Sequence, residues 1–230
     1  MEVQKDNIFH EILEFALSVV WIGIAFGIAL AGGTDAFKDL VGLRTTILES
    51  LVVVFFAFVL HELGHRIAAR RYGFHAVYHV WIPGLVIAMV ASLFGFLFAA
   101  PGGVYIQIGQ DTAENRAKVA KSALVGPIVN MVLAVVFAIL AFAFFAFVWS
   151  YLSSTGYSAS QLASWVNTVL GIFVIGVEIN AWLAFFNLLP FGNFDGYKVF
   201  QWNKKVWTIA FIGSIGLYAL VLWAQTALLG

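Results

Sequence analysis

The sequence contains no cysteine and few charged residues, and both shortages exclude whole classes of protein. Without cysteine, the chain can form neither disulfide bonds nor thiolate metal sites. Charged residues make up 10% of the chain and hydrophobic residues 62%, whereas soluble domains carry roughly 25% charged residues. The formal net charge is zero, so there is no bulk electrostatic attraction to nucleic acid. We therefore expect an integral protein of the lipid bilayer that has no nucleic-acid partner.

Long apolar stretches take up most of the chain. A helix needs about 20 mostly apolar residues to cross a bilayer. Five stretches meet this length: roughly 12–31, 45–66, 122–149, 162–189 and 206–229. A sixth stretch, residues 81–100, is shorter and is bracketed by Pro83 and Pro101. The expected fold class is an all-α polytopic membrane protein with about six membrane segments.

Basic residues predict the orientation of these segments, because lysine and arginine are enriched in cytoplasmic loops. With the N-terminus in the cytoplasm, ten of the 12 basic residues fall inside, and only Lys38 and Arg44 fall outside. Residues 66–71 and 116–121 then share a side, so the stretch 81–100 crosses an even number of times or not at all. It is too short for two helices, and we expect a re-entrant hairpin beside an aqueous site. The alternative is a sixth span with a different topology.

The second apolar stretch ends in the sequence HELGH, residues 61–65. On a helix, His61 and His65 share one face about one turn apart, and Glu62 lies next to that face. This is the H-E-x-x-H pattern, in which two imidazoles bind zinc and the glutamate acts as general base. A carboxylate and two imidazoles in apolar sequence cost several kcal/mol without a metal or aqueous partner, which argues against a chance match.

Two histidines leave a catalytic zinc site incomplete, because such a site needs a third protein ligand and an open position. The candidates in apolar surroundings are Glu178 and Asp195, with His75 and His79 as further candidates. Asp195 lies in NLLPFGNFDGYK, residues 187–198, at the end of an apolar helix. The predicted topology places this end on the same side as the histidine pair, which favours Asp195.

Three motifs follow one another along the chain: HELGH, then GPIVN at 126–130, then NLLP at 187–190 with Asp195 and Gly196 after it. Together they resemble the site-2 proteases, a family of intramembrane zinc metalloproteases. The resemblance implies a three-helix catalytic core over about residues 45–200, with a short β or re-entrant element between the second and third core segments. It also implies one Zn²⁺ per chain, held by His61, His65 and Asp195, with Glu62 as the catalytic residue.

The resemblance further implies a metalloendopeptidase that cleaves membrane-protein substrates within or near their transmembrane segments, as in regulated intramembrane proteolysis. Its location would be the cell membrane, with the active site towards the cytoplasm. Asn130 and Asn187 are expected to bind substrate, and Asn180 to line the substrate channel. The stretch PGGVYIQ, residues 101–107, resembles a strand that could pair with substrate, with Val104, Tyr105 and Ile106 as candidates. We expect one transmembrane protease domain over 1–230, without a PDZ or CBS domain.

Several alternatives remain open at this point. Another H-E-x-x-H membrane metallopeptidase would use Glu178 instead of Asp195. A non-enzymatic metal or ion transporter could use the same intramembrane histidines and glutamates for ion passage. Asn130 could instead serve only as a hydrogen-bonding link between helices. His75 and His79, four residues apart, could hold a second metal.

Overall fold

The structure is a computed structural model that describes residues 8–98, 100–155 and 159–229. Its α-helices are α1 Ile8–Leu30, α2 Leu40–Arg71, α3 Ile82–Ser92, α4 Ala113–Thr155, α5 Ala159–Asn187, α6 Asp195–Trp202 and α7 Lys204–Leu229. Two short strands, β1 His75–Val80 and β2 Gly102–Gln107, and a 3-10 helix, Gly33–Lys38, complete the described elements. The expectation of a mostly helical membrane protein with one small β element is confirmed. That element lies between α2 and α4, the first and second of the three long helices within residues 45–200, and not between the second and third core segments as expected.

Among the described residues, five helices are long and apolar enough to cross a membrane: α1, α2, α4, α5 and α7. Each overlaps most or all of one of the five stretches predicted from hydropathy. The largest difference is at α4, which begins at Ala113 because the segment AENRAKVAK continues the helix with good helix formers. The apolar helix α3, with 11 residues, is too short to span.

The stretch 81–100 leaves the small sheet and comes back to it. Strands β1 and β2 are antiparallel, and Val80 is the partner of Gly102. Between them α3 runs along α1, where the indole Nε1 of Trp21 donates to the Leu85 carbonyl at 2.8 Å. The chain turns back after Leu93, whose carbonyl accepts from the Thr34 amide at 2.9 Å. Because both ends of the stretch meet at the sheet, it is a hairpin, as predicted, and the alternative of a sixth span is wrong.

Close approach between helices holds α2 at the centre of the bundle. Val53, Val54 and Ala57 of α2 are completely buried. On α1, Gly23 and Gly27 lie against the backbone of α2, and a Cβ on either would collide with Leu51 or Ile47. Small residues at these contacts let the helices pack closely where water cannot drive their association. This packing buries one face of α2 just ahead of the HELGH segment.

Candidate active site

Three side chains converge at the end of α2. The Nε2 atoms of His61 and His65 are 2.9 Å apart. Oδ2 of Asp195 lies 2.9 Å from Nε2 of His65 and 3.4 Å from Nε2 of His61. All three residues are buried, and among the described residues they form the only group of three potential ligands within 4.8 Å of one another. Neither Glu178 nor His75 nor His79 belongs to this group.

Two glycines allow these side chains to meet. Gly126 of α4, in the GPIVN motif, faces the histidine pair, and a Cβ there would overlap the imidazoles of His65 and His61. Gly196, in the first turn of α6, lies on the backbone of Leu188, and a Cβ there would overlap the Leu188 carbonyl. The second contact seats α6 against the end of α5 and so brings Asp195 to the histidines. Close backbone approach is therefore the physical reason for both glycines.

The other ring nitrogen of each imidazole, Nδ1, already has a hydrogen-bond partner. Nδ1 of His65 lies 2.9 Å from the carbonyl oxygen of Ser122, and Nδ1 of His61 lies 2.5 Å from Oδ1 of Asn130. Both partner oxygens are acceptors only, so each Nδ1 donates its proton. In a neutral imidazole each Nε2 then carries a lone pair. Two such nitrogens and a carboxylate oxygen therefore face one another without a proton among them.

This arrangement fits a cation. Three electron-pair donors at such separations repel one another unless a positive charge lies between them. Imidazole nitrogen and carboxylate oxygen are both ordinary zinc ligands, and a catalytic zinc ion takes three such protein ligands and keeps one position open. The residues present therefore match the ligand set of a catalytic zinc ion.

The second oxygen of Asp195 is held by a lysine. Oδ1 lies 3.2 Å from Nζ of Lys198, three residues further along α6. Burial raises the pKa of this carboxyl, but positive charge at His65 and on Lys198 outweighs burial and holds the pKa of Asp195 well below its usual range. When both imidazoles are neutral, a bound cation would supply that charge in place of His65. Asp195 is thus ionised and directs one oxygen to the histidines and the other to the lysine.

Glu62 is the next polar group beside the cluster. It is buried, and its Oε2 has no hydrogen-bond partner among the described residues. The backbone amide of Val104 in β2 lies beside its carboxylate. A buried carboxylate oxygen without a donor is costly in a dry site, which indicates that water or substrate supplies the missing hydrogen bond.

The cluster and Glu62 form one wall of a cavity of about 900 Å³. Residues Gly102–Ile106 of β2 form part of another wall, and Asn187 and Lys198 also reach the cavity. Aromatic rings supply much of the remaining surface: Trp81, Phe96, Phe98, Phe186, Phe191 and Phe194. A water-accessible space of this size beside the cluster has room for a segment of polypeptide.

Two of the predicted substrate contacts do not reach this cavity. Asn130 and Asn180 are completely buried, and neither lines the cavity wall. Their side-chain amides bind each other and other groups inside the helix bundle. The expectations that Asn130 contacts substrate and that Asn180 lines the channel are therefore not supported by their positions, because sequence spacing does not reveal which neighbour an inward-facing amide meets.

The small sheet has one covered edge and one open edge. On β1, the amide of Tyr78 donates to Glu11 at 2.9 Å and that of Val80 donates to Glu14 at 3.1 Å, so α1 covers this edge. Antiparallel strands direct successive backbone groups to alternate sides. Because Tyr78 and Val80 direct their amides away from β2, the hydrogen bonds between the strands run through Val77 and its partner Tyr105. Val104 and Ile106 therefore direct their backbone groups outward, towards the cavity.

Comparison with known proteins agrees with this site. The sequence profile of peptidase family M50 matches residues 49–210, which is more than half of the chain. The chain is a member of peptidase family M50. It is 36% identical over 208 residues to a Methanocaldococcus jannaschii protein named "Putative zinc metalloprotease MJ0611", covering 90% of this chain and 92% of that one. No solved structure matches the chain. The resemblance to the site-2 proteases of this family is confirmed, and the chain is a multi-pass membrane zinc metalloprotease by family.

Some contributors to this M50 site were missed in the sequence. Lys198 follows Asp195 by three residues, a spacing that on a helix places both on one face. Glu11 and Glu14 stand three apart in the first apolar helix, where carboxylates are costly enough to indicate partners. Ser122 acts through its backbone carbonyl, which no residue pattern identifies.

Proposed function

We propose that this M50 protein hydrolyses peptide bonds within or near the transmembrane segments of membrane-protein substrates, with one zinc ion held by His61, His65 and Asp195. The observation that carries the proposal is the meeting of two imidazole nitrogens and a carboxylate oxygen, buried in a helix bundle, on the wall of a large cavity. Such a site could serve signalling cleavage of the regulated intramembrane type.

The proposed chemistry assigns Glu62 the proton transfers. A bound zinc ion would supply a Lewis acid that acidifies water and polarises a carbonyl. Glu62 takes a proton from the attacking water, whose oxygen forms a bond to the carbonyl carbon of the substrate. As the carbon–nitrogen bond breaks, Glu62 delivers that proton to the leaving nitrogen and is ionised again.

The open edge of β2 is the proposed docking place for substrate. A transmembrane helix hides its peptide groups in internal hydrogen bonds, so it must unwind before hydrolysis. An extended segment can pair with the carbonyl of Val104 and with the amide and carbonyl of Ile106 as an added strand, while the Val104 amide donates to Glu62. Since Val104 also lies beside Glu62, this pairing places substrate next to the general base. Tyr105, whose side chain is exposed, and Asn187 on the cavity wall supply further contacts.

The active site is proposed to face the cytoplasm. The end of α2 that carries His61 and His65 continues into Arg70 and Arg71, and α6 carries Lys198. Basic residues mark cytoplasmic ends, so the same distribution that orients the helices also orients the site.

Replacing Glu62 tests the proposed reaction. The purified protein, reconstituted in lipid, is assayed for cleavage of a test substrate with a single membrane span, and its bound zinc is measured. Glu62→Gln should lower cleavage by at least about 100-fold, because general acid–base catalysis contributes that much, while bound zinc is unchanged. Glu49→Gln, which alters another buried carboxyl of α2 remote from the cluster, is the matched control and should cleave normally. Equal cleavage by the Glu62 and Glu49 variants would rule out the proposed mechanism.

The same preparation identifies the third ligand. Asp195→Asn should lose zinc and Glu178→Gln should keep it, because only Asp195 reaches the histidine pair. The reverse result would favour the metallopeptidase that uses Glu178. Zinc movement into vesicles by wild type without any cleavage would favour the transporter.

A further inference from the structure

Two completely buried asparagines lie behind the cluster of His61, His65 and Asp195, on the side away from the cavity. Asn130 belongs to α4 and Asn180 to α5, and each is 0% exposed. Uncompensated amides among apolar helices are costly, so their partners indicate what they do. Asn130 Nδ2 donates to Oδ1 of Asn180 at 2.9 Å, and Asn180 Nδ2 donates to the Gly176 carbonyl at 2.8 Å.

The hydrogen bonds of this pair have a fixed direction. A backbone carbonyl only accepts, so Gly176 requires the amide nitrogen of Asn180 on its side. Oδ1 of Asn180 therefore points at Asn130 and requires the amide nitrogen there. Oδ1 of Asn130 is left for His61, at 2.5 Å from Nδ1. The chain of donors thus runs from His61 through both asparagines to a carbonyl of α5.

The two imidazoles of the cluster are held in different ways. His65 donates directly to the backbone carbonyl of Ser122, which every residue type provides. His61 donates to the side chain of Asn130, whose amide nitrogen is oriented by Asn180 at 2.9 Å and, over a longer 3.4 Å, by the Ala57 carbonyl of α2. The tautomer of His61 therefore depends on residue identity at 130 and 180, whereas that of His65 does not depend on a side-chain partner.

We propose that Asn180 and Asn130 form a relay that fixes His61 in the Nδ1–H tautomer and so presents its Nε2 lone pair to the metal. Both are positioning residues, and the inference rests on the proposed zinc site. The competing explanation is that the asparagines only link α4 to α5, as polar residues in membrane helices commonly do. Metal affinity and the proton position on His61 separate the two explanations.

The test uses full-length protein in detergent, stripped of metal, with zinc affinity measured by competition with a chelator. Asn130→Leu and Asn180→Ala should weaken zinc binding by about 10–100-fold, the usual effect of losing a partner of a metal-bound imidazole. Asn130→Asp should stay close to wild type, because a protonated carboxyl can accept from His61 and donate to Asn180. Ser18→Ala is the matched control: it removes a buried hydrogen bond between α1 and Tyr78, 2.7 Å long, that does not involve the zinc cluster.

A second measurement reads the tautomer without zinc. In metal-free protein the ring-nitrogen NMR signals of His61, assigned with His61→Gln, should show the proton on Nδ1 in wild type and Asn130→Asp, and partly on Nε2 in Asn180→Ala. If the Asn180→Ala protein unfolds, Asn180→Leu takes its place, because leucine leaves a smaller cavity than alanine. An Asn180 variant with Nδ1–H His61 and the zinc affinity of Ser18→Ala would overturn the relay. A wild-type protein that binds no zinc would instead overturn the proposed function, and the tautomer would still decide the relay.

Discussion

At the scale of single residues, every ligand of the cluster has its other polar atom bound by protein. Asn130 holds His61, the Ser122 carbonyl holds His65, and Lys198 holds Asp195. Each ligand is thereby restricted to one orientation before any metal binds. Glycine at 126 is part of the same arrangement, because it leaves the space that the two imidazoles occupy.

Gly126→Ala tests this close packing. The added methyl group must displace His65 or His61, and overpacking of this kind costs about 1–3 kcal/mol, so zinc affinity should fall by about tenfold or more. Gly216→Ala, on α7, is the matched control because its Cβ would meet nothing within 4 Å. Equal zinc affinities of the two variants by chelator competition would show that the imidazoles do not need this space.

At the scale of elements, the two-stranded sheet is asymmetric. Glu11 and Glu14 of α1 occupy the outer amides of β1, so this edge has no room for another strand. The opposite edge, on β2, faces the cavity beside Glu62. One covered edge and one open edge make β2 the place where an extended peptide can add, since an exposed strand edge is a template for pairing.

Ile106→Pro distinguishes strand addition from ordinary side-chain contact. Proline removes the outward amide of residue 106, whereas the inward hydrogen bonds to β1 involve residues 105 and 107. Cleavage of the single-span test substrate should fall sharply while bound zinc stays unchanged. Ile106→Ala retains the amide and is the control. Should the alanine variant lose as much cleavage as the proline variant, the side chain and not the backbone edge would be responsible.

At the scale of the whole molecule, the chemistry is confined to one end of the bundle. The C-terminal part of α2, the sheet, the N-terminal part of α4, and α6 meet there. Elsewhere α4 exposes a belt of large apolar side chains, among them Phe142, Phe145 and Trp149, which suits contact with lipid. The hairpin around α3 returns to the sheet and therefore does not invert the helices after it.

The absence of cysteine makes this topology directly measurable, because each introduced cysteine is unique. Arg71→Cys and Arg116→Cys stand at exposed positions before and after the hairpin, and Lys38→Cys stands at the exposed end of the 3-10 helix that follows α1. A membrane-impermeant thiol reagent should label positions 71 and 116 from the cytoplasm and position 38 from outside. Labelling of 71 and 116 from opposite sides would contradict the hairpin.

Much of this protein follows from local pattern. The five spans are apparent because hydropathy accumulates within each helix, and HELGH is apparent because helical spacing alone places His61 and His65 on one face. The hairpin was predicted from the basic residues before and after it, because lysine and arginine are enriched on the cytoplasmic side and both groups therefore belong to one side of the membrane.

Only the tertiary structure decided which distant groups meet. It brought Asp195 and not Glu178 to the histidines, turned Asn130 away from the cavity, and covered one edge of the sheet with α1. These outcomes depend on distances between residues that are 57 to 134 positions apart, such as Ser122 from His65 and Asp195 from His61. Hydropathy and motif spacing describe the neighbourhood along the chain, whereas ligand geometry and hydrogen-bond direction arise only when separate helices pack.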